Sequence, residues 1–197
     1  DKDPKIEDPE IAQFWNGLPD NLSKLENVIW AENPANLDDY AWCRGSDGIS
    51  RVWHPGFHEG ENFGWAGAPD IVAEYKGKIV LGDLKTSNGP YYSQWPDSST
   101  PKNEYGKRRA GFMKYQKCQL QLAAYALGLE HTIGVIPELC MTFVATKEIS
   151  QVFVIQKGTI EKYKNKWRET VKKYYEVILP EQKEREIEML GIDGDIM

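Results

Sequence analysis

Apolar and polar positions fall into two periods along this chain. Ile71 to Lys76 and Lys78 to Leu84 are β-prone runs on either side of Lys76-Gly77. Such runs around a short Gly-containing turn predict a hairpin. Leu25 to Glu32, Leu139 to Ala145 and Gln151 to Gln156 read as three further strands. Helical spacing appears over residues 9 to 17, with Pro9 near the start and Gly17 at the end. It returns from Phe112 to Leu127, rich in Ala, Leu and Gln, with Gly128 suited to the helix end. A last helix is predicted from a Thr159 cap, with Ile160, Tyr163, Trp167, Val171, Tyr174 and Ile178 on one stripe and Pro180 as its stop. On that helix Lys162, Lys166, Lys172 and Lys173 form the wet face.

Between these elements lie stretches without a period. Residues 33–63 are rich in Gly, Asp, Asn and Trp and read as a long loop inserted between neighbouring strands. Loops this long are often functional; the alternative is an ordered surface loop packed down by Tyr40, Trp42, Trp53 and Phe57. Residues 86–117 form a basic and aromatic segment, and residues 181–197 an acidic helix or frayed tail. Strands interleaved with helices predict an α/β fold, a mixed central sheet flanked by helices on both sides, in a single domain over 1–197.

Composition narrows this further. The chain has 197 residues, 41% hydrophobic and 27% charged, enough to build one core. No apolar run approaches the ~20 residues of a membrane span, so no membrane partner is expected. Cys43, Cys118 and Cys140 are scattered and match neither a zinc pattern nor a disulfide framework. Free thiols point to a reducing, intracellular setting. The net charge of −6 and pI near 5.2 look wrong for a nucleic-acid partner. Distribution matters more than the sum. Asp1, Asp3, Glu7, Asp8 and Glu10 load one end with acid, while Lys102, Lys107, Arg108, Arg109, Lys114 and Lys117 face only Glu104 in the middle.

Candidate chemistry sits on the hairpin. A turn at residues 76 and 77 pairs 75 with 78, and therefore 70 with 83. Opposed residues have Cβ atoms about 4.5–5.5 Å apart, so Asp70 and Asp83 repel unless a cation lies between them. Lys85 shares a strand face with Asp83. Hard oxygen ligands suit Mg²⁺ or Mn²⁺. The plain alternative is a turn-capping Asp70 and a surface Asp83–Lys85 pair. Gln121 and Tyr125 lie four apart on one helix face and can hydrogen-bond a phosphate, a water or a base; the alternative is a buried, satisfied tyrosine beside a solvated glutamine. Tyr91, Tyr92 and Trp95, with Lys107, Arg108, Arg109, Lys114 and Lys117, mix rings and cations as single-stranded nucleic acid requires; the alternative is a solvated flap packed on the body.

The ordered set Gly67-x-x-Asp70, Asp83-x-Lys85 and Gln121-x-x-x-Tyr125 resembles the RecB-like branch of the PD-(D/E)XK nuclease superfamily. Gly64 to Val72 and Leu81 to Ser87 look most like the phage and mitochondrial genome maintenance exonucleases, as does Gln151 to Ile155 followed by a basic helix. The resemblance covers roughly residues 10 to 178. It implies a Mg²⁺- or Mn²⁺-dependent deoxyribonuclease, an exonuclease on single-stranded DNA or DNA ends. Asp70, Asp83 and the Leu84 main-chain carbonyl would bind metal, with Glu32 as an upstream third acid. Lys85 would orient water and stabilise the phosphorane, and Gln121 and Tyr125 would contact phosphate or water. The resemblance also implies a cytoplasmic enzyme of a bacterium or phage-infected cell, or a mitochondrial one if a transit peptide has been removed. Three unclustered cysteines argue against the iron–sulfur cluster of some relatives. One departure stands out: many members carry a metal-binding His upstream of that acid, and here His54, His58 and His131 all follow Glu32. The chain also begins at Asp1 without Met, so the expectation is that the family's first helices are missing. Two alternatives stay open: an endonuclease on the same fold, and a DNA-binding or assembly module with a degenerate site.

Overall fold

The computed structural model describes residues 9–15, 17–31, 52–54 and 65–190. Its centre is a mixed sheet of β1 (Glu26–Ala31), β4 (Ile71–Tyr75), β5 (Lys78–Thr86), β6 (Leu139–Ala145) and β7 (Ser150–Gln156), in the order β1-β4-β5-β6-β7. Only β5 and β6 run parallel; the other neighbours are antiparallel. A parallel pair needs a crossover, and it is α3 (Lys102–Ile133). The remaining strands, β2 (Val52–His54) and β3 (Trp65–Gly67), form a separate two-stranded ribbon. The fold class is thus the expected α/β one, with helices on both faces of the sheet.

The β4–β5 register is the predicted one: Tyr75 pairs with Lys78 and Ile71 with Gly82. Lys76 (φ 51°) and Gly77 (φ 73°) both have positive φ, as a type I′ turn requires. Alternation then divides β5 between two cores. Val80 faces a cluster with Leu18, Leu139, Met141 and Phe143, under Phe14, Trp15 and Leu22 of the N-terminal helices α1 (Pro9–Ala12) and α2 (Leu18–Leu22) and the turn between them. Leu81 faces the other way, onto Leu122, Ala126 and Leu129 of α3 and Ile160 of α4 (Lys157–Lys173). Asp83 and Lys85 continue the Leu81 face, so the hairpin's charges point toward α3.

Several boundaries differ from expectation. The single helix over 9–17 is two short ones, and Gly17 (φ 71°) separates them rather than ending the segment. Within the expected 33–63 loop, Val52–His54 is a strand. It gains its partner at Trp65–Gly67, a pairing too distant for local periodicity to reveal. Helix α3 starts ten residues before Phe112 and runs through Gly128 to a Gly134 C-cap with φ 69°. A glycine costs about 1 kcal/mol in a helix, and burial of Leu122, Leu127 and Leu129 around Gly128 outweighs it. The basic run Lys107-Arg108-Arg109 is therefore helical. Helix α4 begins at Lys157, straight after β7, with Gln156 rather than Thr159 at the cap position and no side-chain cap bond. Its stripe is covered as far as Val171, but Tyr174 and Ile178 are exposed. Pro180 does not stop the helix. A π turn over Tyr174–Ile178 leads into α5 (Leu179–Leu190); such a widened turn is a usual accommodation for a helix irregularity. No helix among the described residues is long and apolar enough to cross a membrane.

Candidate active site

Asp83 is fully buried in β5, in register with Thr142 of β6. Its Oδ1 accepts a hydrogen bond from Lys85 Nζ at 2.8 Å. Its Oδ2 is buried with no partner among the described residues, and so is Thr142 Oγ1. Asp70 lies one residue before β4, just beyond the last ladder pair, Ile71–Gly82, so the predicted 70–83 pair is not itself part of the ladder. Its Oδ2 accepts the Leu84 N–H at 2.6 Å, which ties the two strand ends together. Burial pushes the Asp83 carboxyl up from 3.8 to about 6, against the bond from Lys85, and the charge on Asp70 pushes the same way. Burial alone would lower Lys85; the hydrogen bond and charge of Asp83 and the charge of Asp70 outweigh it, so its pKa is raised.

Helix α3 brings Gln121 and Tyr125 to the same place. Gln121 Nε2 donates to Tyr125 Oη at 2.7 Å. Burial raises the Tyr125 pKa, and Asp83, Lys85 and Asp70 all lie close enough to act on it. A reason for Gly67 also emerges: a Cβ there would overlap the Tyr125 ring. The five residues expected to be catalytic are therefore one cluster, drawn from the hairpin and one helix face.

These groups match the chemistry of a divalent cation. A buried carboxylate oxygen without a donor, next to a second carboxylate, is a site short of positive charge, and hard oxygen ligands suit Mg²⁺ or Mn²⁺. Asp70 and Asp83 are the described acids there. No group of three or more His, Cys, Asp or Glu stands together among the described residues. Glu32, the expected third acid, lies outside them, as do His58 and Cys43. Cys118 and Cys140 are buried in the core, where desolvation raises their thiols to about 11 and about 12.

The basic and aromatic segment divides into roles that sequence alone did not separate. Lys114 Nζ donates to Ser87 Oγ at 3.0 Å, two residues past Lys85. With Lys107, Asn88, Tyr92 and Lys147 it lines a cleft of about 440 Å³ in which Glu148 is the one acid among the described residues. Lys147, in the β6–β7 turn, gave no sequence signal. Arg108 is engaged by Glu104 at 3.1 Å and lies over Tyr92, and Arg109 lies over Trp95. Tyr91 corrects an expectation. The residue is 6% exposed, its ring packed with Tyr115, Cys118 and Val144, and its backbone is clamped by both ends of the Gln151 amide. That ring is a core group, and Tyr92 and Trp95 are left as the more accessible faces. Lys117 is exposed, one helical turn before Gln121.

No protein-family model and no curated protein matches the chain.

Proposed function

We propose that this protein is a metal-dependent deoxyribonuclease of the RecB-like PD-(D/E)XK kind, an exonuclease acting on single-stranded DNA or free DNA ends in a reducing intracellular compartment. The observation that carries the reading is Asp83: fully buried, one oxygen held by Lys85 and the other without a donor, beside Asp70. A structural ion pair does not need an unpartnered second oxygen in the core, which costs stability. A metal-binding acid does.

Asp70 and Asp83 would hold the cation, with the Leu84 carbonyl and Glu32 as further ligands. When bound, Mg²⁺ or Mn²⁺ supplies a Lewis acid that polarises the phosphate and lowers the pKa of the attacking water. Lys85 stays charged at neutral pH and faces the negative charge that develops as the phosphate becomes pentavalent. Tyr125 accepts from Gln121, so its own proton is left to donate to a phosphate oxygen. Lys107, Lys114 and Lys147 line a cleft that would lead the strand's phosphates toward Lys85.

The test is single-turnover cleavage of end-labelled single-stranded, duplex and closed circular DNA in Mg²⁺ and Mn²⁺, with Lys85→Ala and Lys85→Arg beside the wild type. Arg retains the charge but spreads it over a wide planar fork. Both variants are expected to bind DNA in Ca²⁺ and to lose about 10²–10³ in rate, as when one transition-state donor is removed. Cleavage by Lys85→Ala within a few-fold of wild type overturns the reading. Nicked circles would identify an endonuclease, and binding without cleavage in either metal a binding module.

A further inference from the structure

Tyr125 has a second neighbourhood. With Gln121 it also lines an open pocket of about 350 Å³, walled by Trp65, Leu120, Ala124 and Trp167, with Lys117 at its edge. Trp65 and Trp167 meet edge to face, centroids 5.9 Å apart and planes at 78°. The Trp65 indole N–H donates to the Ala124 carbonyl at 3.4 Å, which fixes that ring. Two indoles at a right angle make a corner that receives one flat ring, stacked on one wall and bounded by the other.

We propose that this pocket is a nucleobase subsite, taking one base of the strand whose phosphate lies at Asp70, Asp83 and Lys85. The proposal rests on the nuclease reading for its occupant. Three observations select a base over a peptide side chain or a lipid. The pocket shares Gln121 and Tyr125 with the acid cluster, so a strand held there passes it. Lys117 offers an exposed cation where a neighbouring phosphate would run. The pocket offers few fixed polar groups: the Gln121 amide donates to Tyr125 and the Trp65 N–H to Ala124, the Trp167 N–H is buried away from solvent, and the Tyr125 proton is the group left to face the strand's phosphate. Its walls are mostly the two indoles with Leu120 and Ala124, and such ring and methyl surfaces favour stacking that tolerates any base.

The experiment compares binding of a short oligodeoxythymidylate with a fully abasic strand of equal length, by fluorescence anisotropy in EDTA. Wild type, Trp167→Leu and Leu120→Trp are measured; the last fills the pocket from its edge and carries the test should Trp167→Leu fail to fold. Wild type is expected to prefer the base-bearing strand, and this preference should fall by about 5- to 150-fold in both variants, the range for loss of one stacked base. Strands of mixed sequence should bind wild type within a few-fold of one another. An unchanged preference in both variants overturns the subsite, as does a wild type that binds the two strands alike. A preference that depends on the pocket, in a protein that cleaves nothing in Mg²⁺ or Mn²⁺, keeps the subsite and overturns the nuclease reading; cleavage with no such dependence does the reverse.

Discussion

Asp83 sets the behaviour of the site at the scale of single residues. Its folded carboxyl holds a proton up to about pH 6, against 3.8 ordinarily. The folded state therefore binds more protons than the unfolded chain across that window, and stability falls as the pH rises from about 4 to about 6. Asp83→Asn removes this pH dependence. Measured by urea denaturation in EDTA, the variant should gain on wild type across the window, by at most about 3 kcal/mol for a shift of this size. The ranking should reverse in Mg²⁺, which stabilises only the wild type. A parallel pair of pH profiles would show that Asp83 is not held in its protonated form. Gly67 makes a second residue-scale prediction. Gly67→Ala drives a methyl group into the Tyr125 ring, so it should cut cleavage at least tenfold while leaving metal binding at Asp70 and Asp83 within a few-fold. Wild-type cleavage in this variant would remove Tyr125 from the mechanism.

Helix α3 carries most of the consequences at the scale of elements. Its first half is exposed and basic, and its second half is buried on nearly every side. The cations are not equivalent, because Arg108 is engaged by Glu104 while Lys107 and Lys114 line the cleft with Lys147. Replacing Lys107, Lys114 and Lys147 together by Ala should lower the salt slope of single-strand binding by up to about 2, at about 0.7 per phosphate contact. Arg108→Ala should change it less. Equal slopes for the triple variant and the wild type would place the DNA path elsewhere. The hairpin offers a check on the fold itself. Lys76 sits at φ 51°, where Asn is more at ease than Lys. Lys76→Asn should raise stability by a few tenths of a kcal/mol, on the order of other turn optimisations, without altering cleavage.

The whole molecule is held across its helical layer by a buried cation. Lys164 of α4 is 2% exposed and pairs with Glu130 of α3 and with Glu161. Both acids are partly in water, so they regain solvent if the lysine goes. Lys164→Met should therefore be neutral to within about 1 kcal/mol or stabilising. Glu130→Ala strands most of a buried charge and should cost about 1–2 kcal/mol after screening through Glu161 and solvent. The opposite order in thermal denaturation would make this pair a net source of stability.

Strand alternation and turn chemistry are local properties, so Ile71 to Leu84 already specified the hairpin, its register and the common face of Asp83 and Lys85. The i, i+4 spacing likewise placed Gln121 beside Tyr125. What local pattern could not supply was the other side of each contact. The Trp65–Gly67 strand needs Val52–His54; Gly67 needs the Tyr125 ring; Tyr91, read as a stacking ring, is buried because Tyr115 and Val144 close over it. Lys147, Thr142 and Trp167 join the site or its surroundings from a turn, a strand and a helix far along the chain. Gly128 and Pro180, both helix stops by propensity, are carried through by burial in one case and by a π turn in the other. Propensity and periodicity act over a few residues, with about 1 kcal/mol at stake in each choice. Tertiary packing acts between residues distant in sequence and outweighs them. It alone decided where helices end, which rings are free, and that one oxygen of Asp83 is left without a partner.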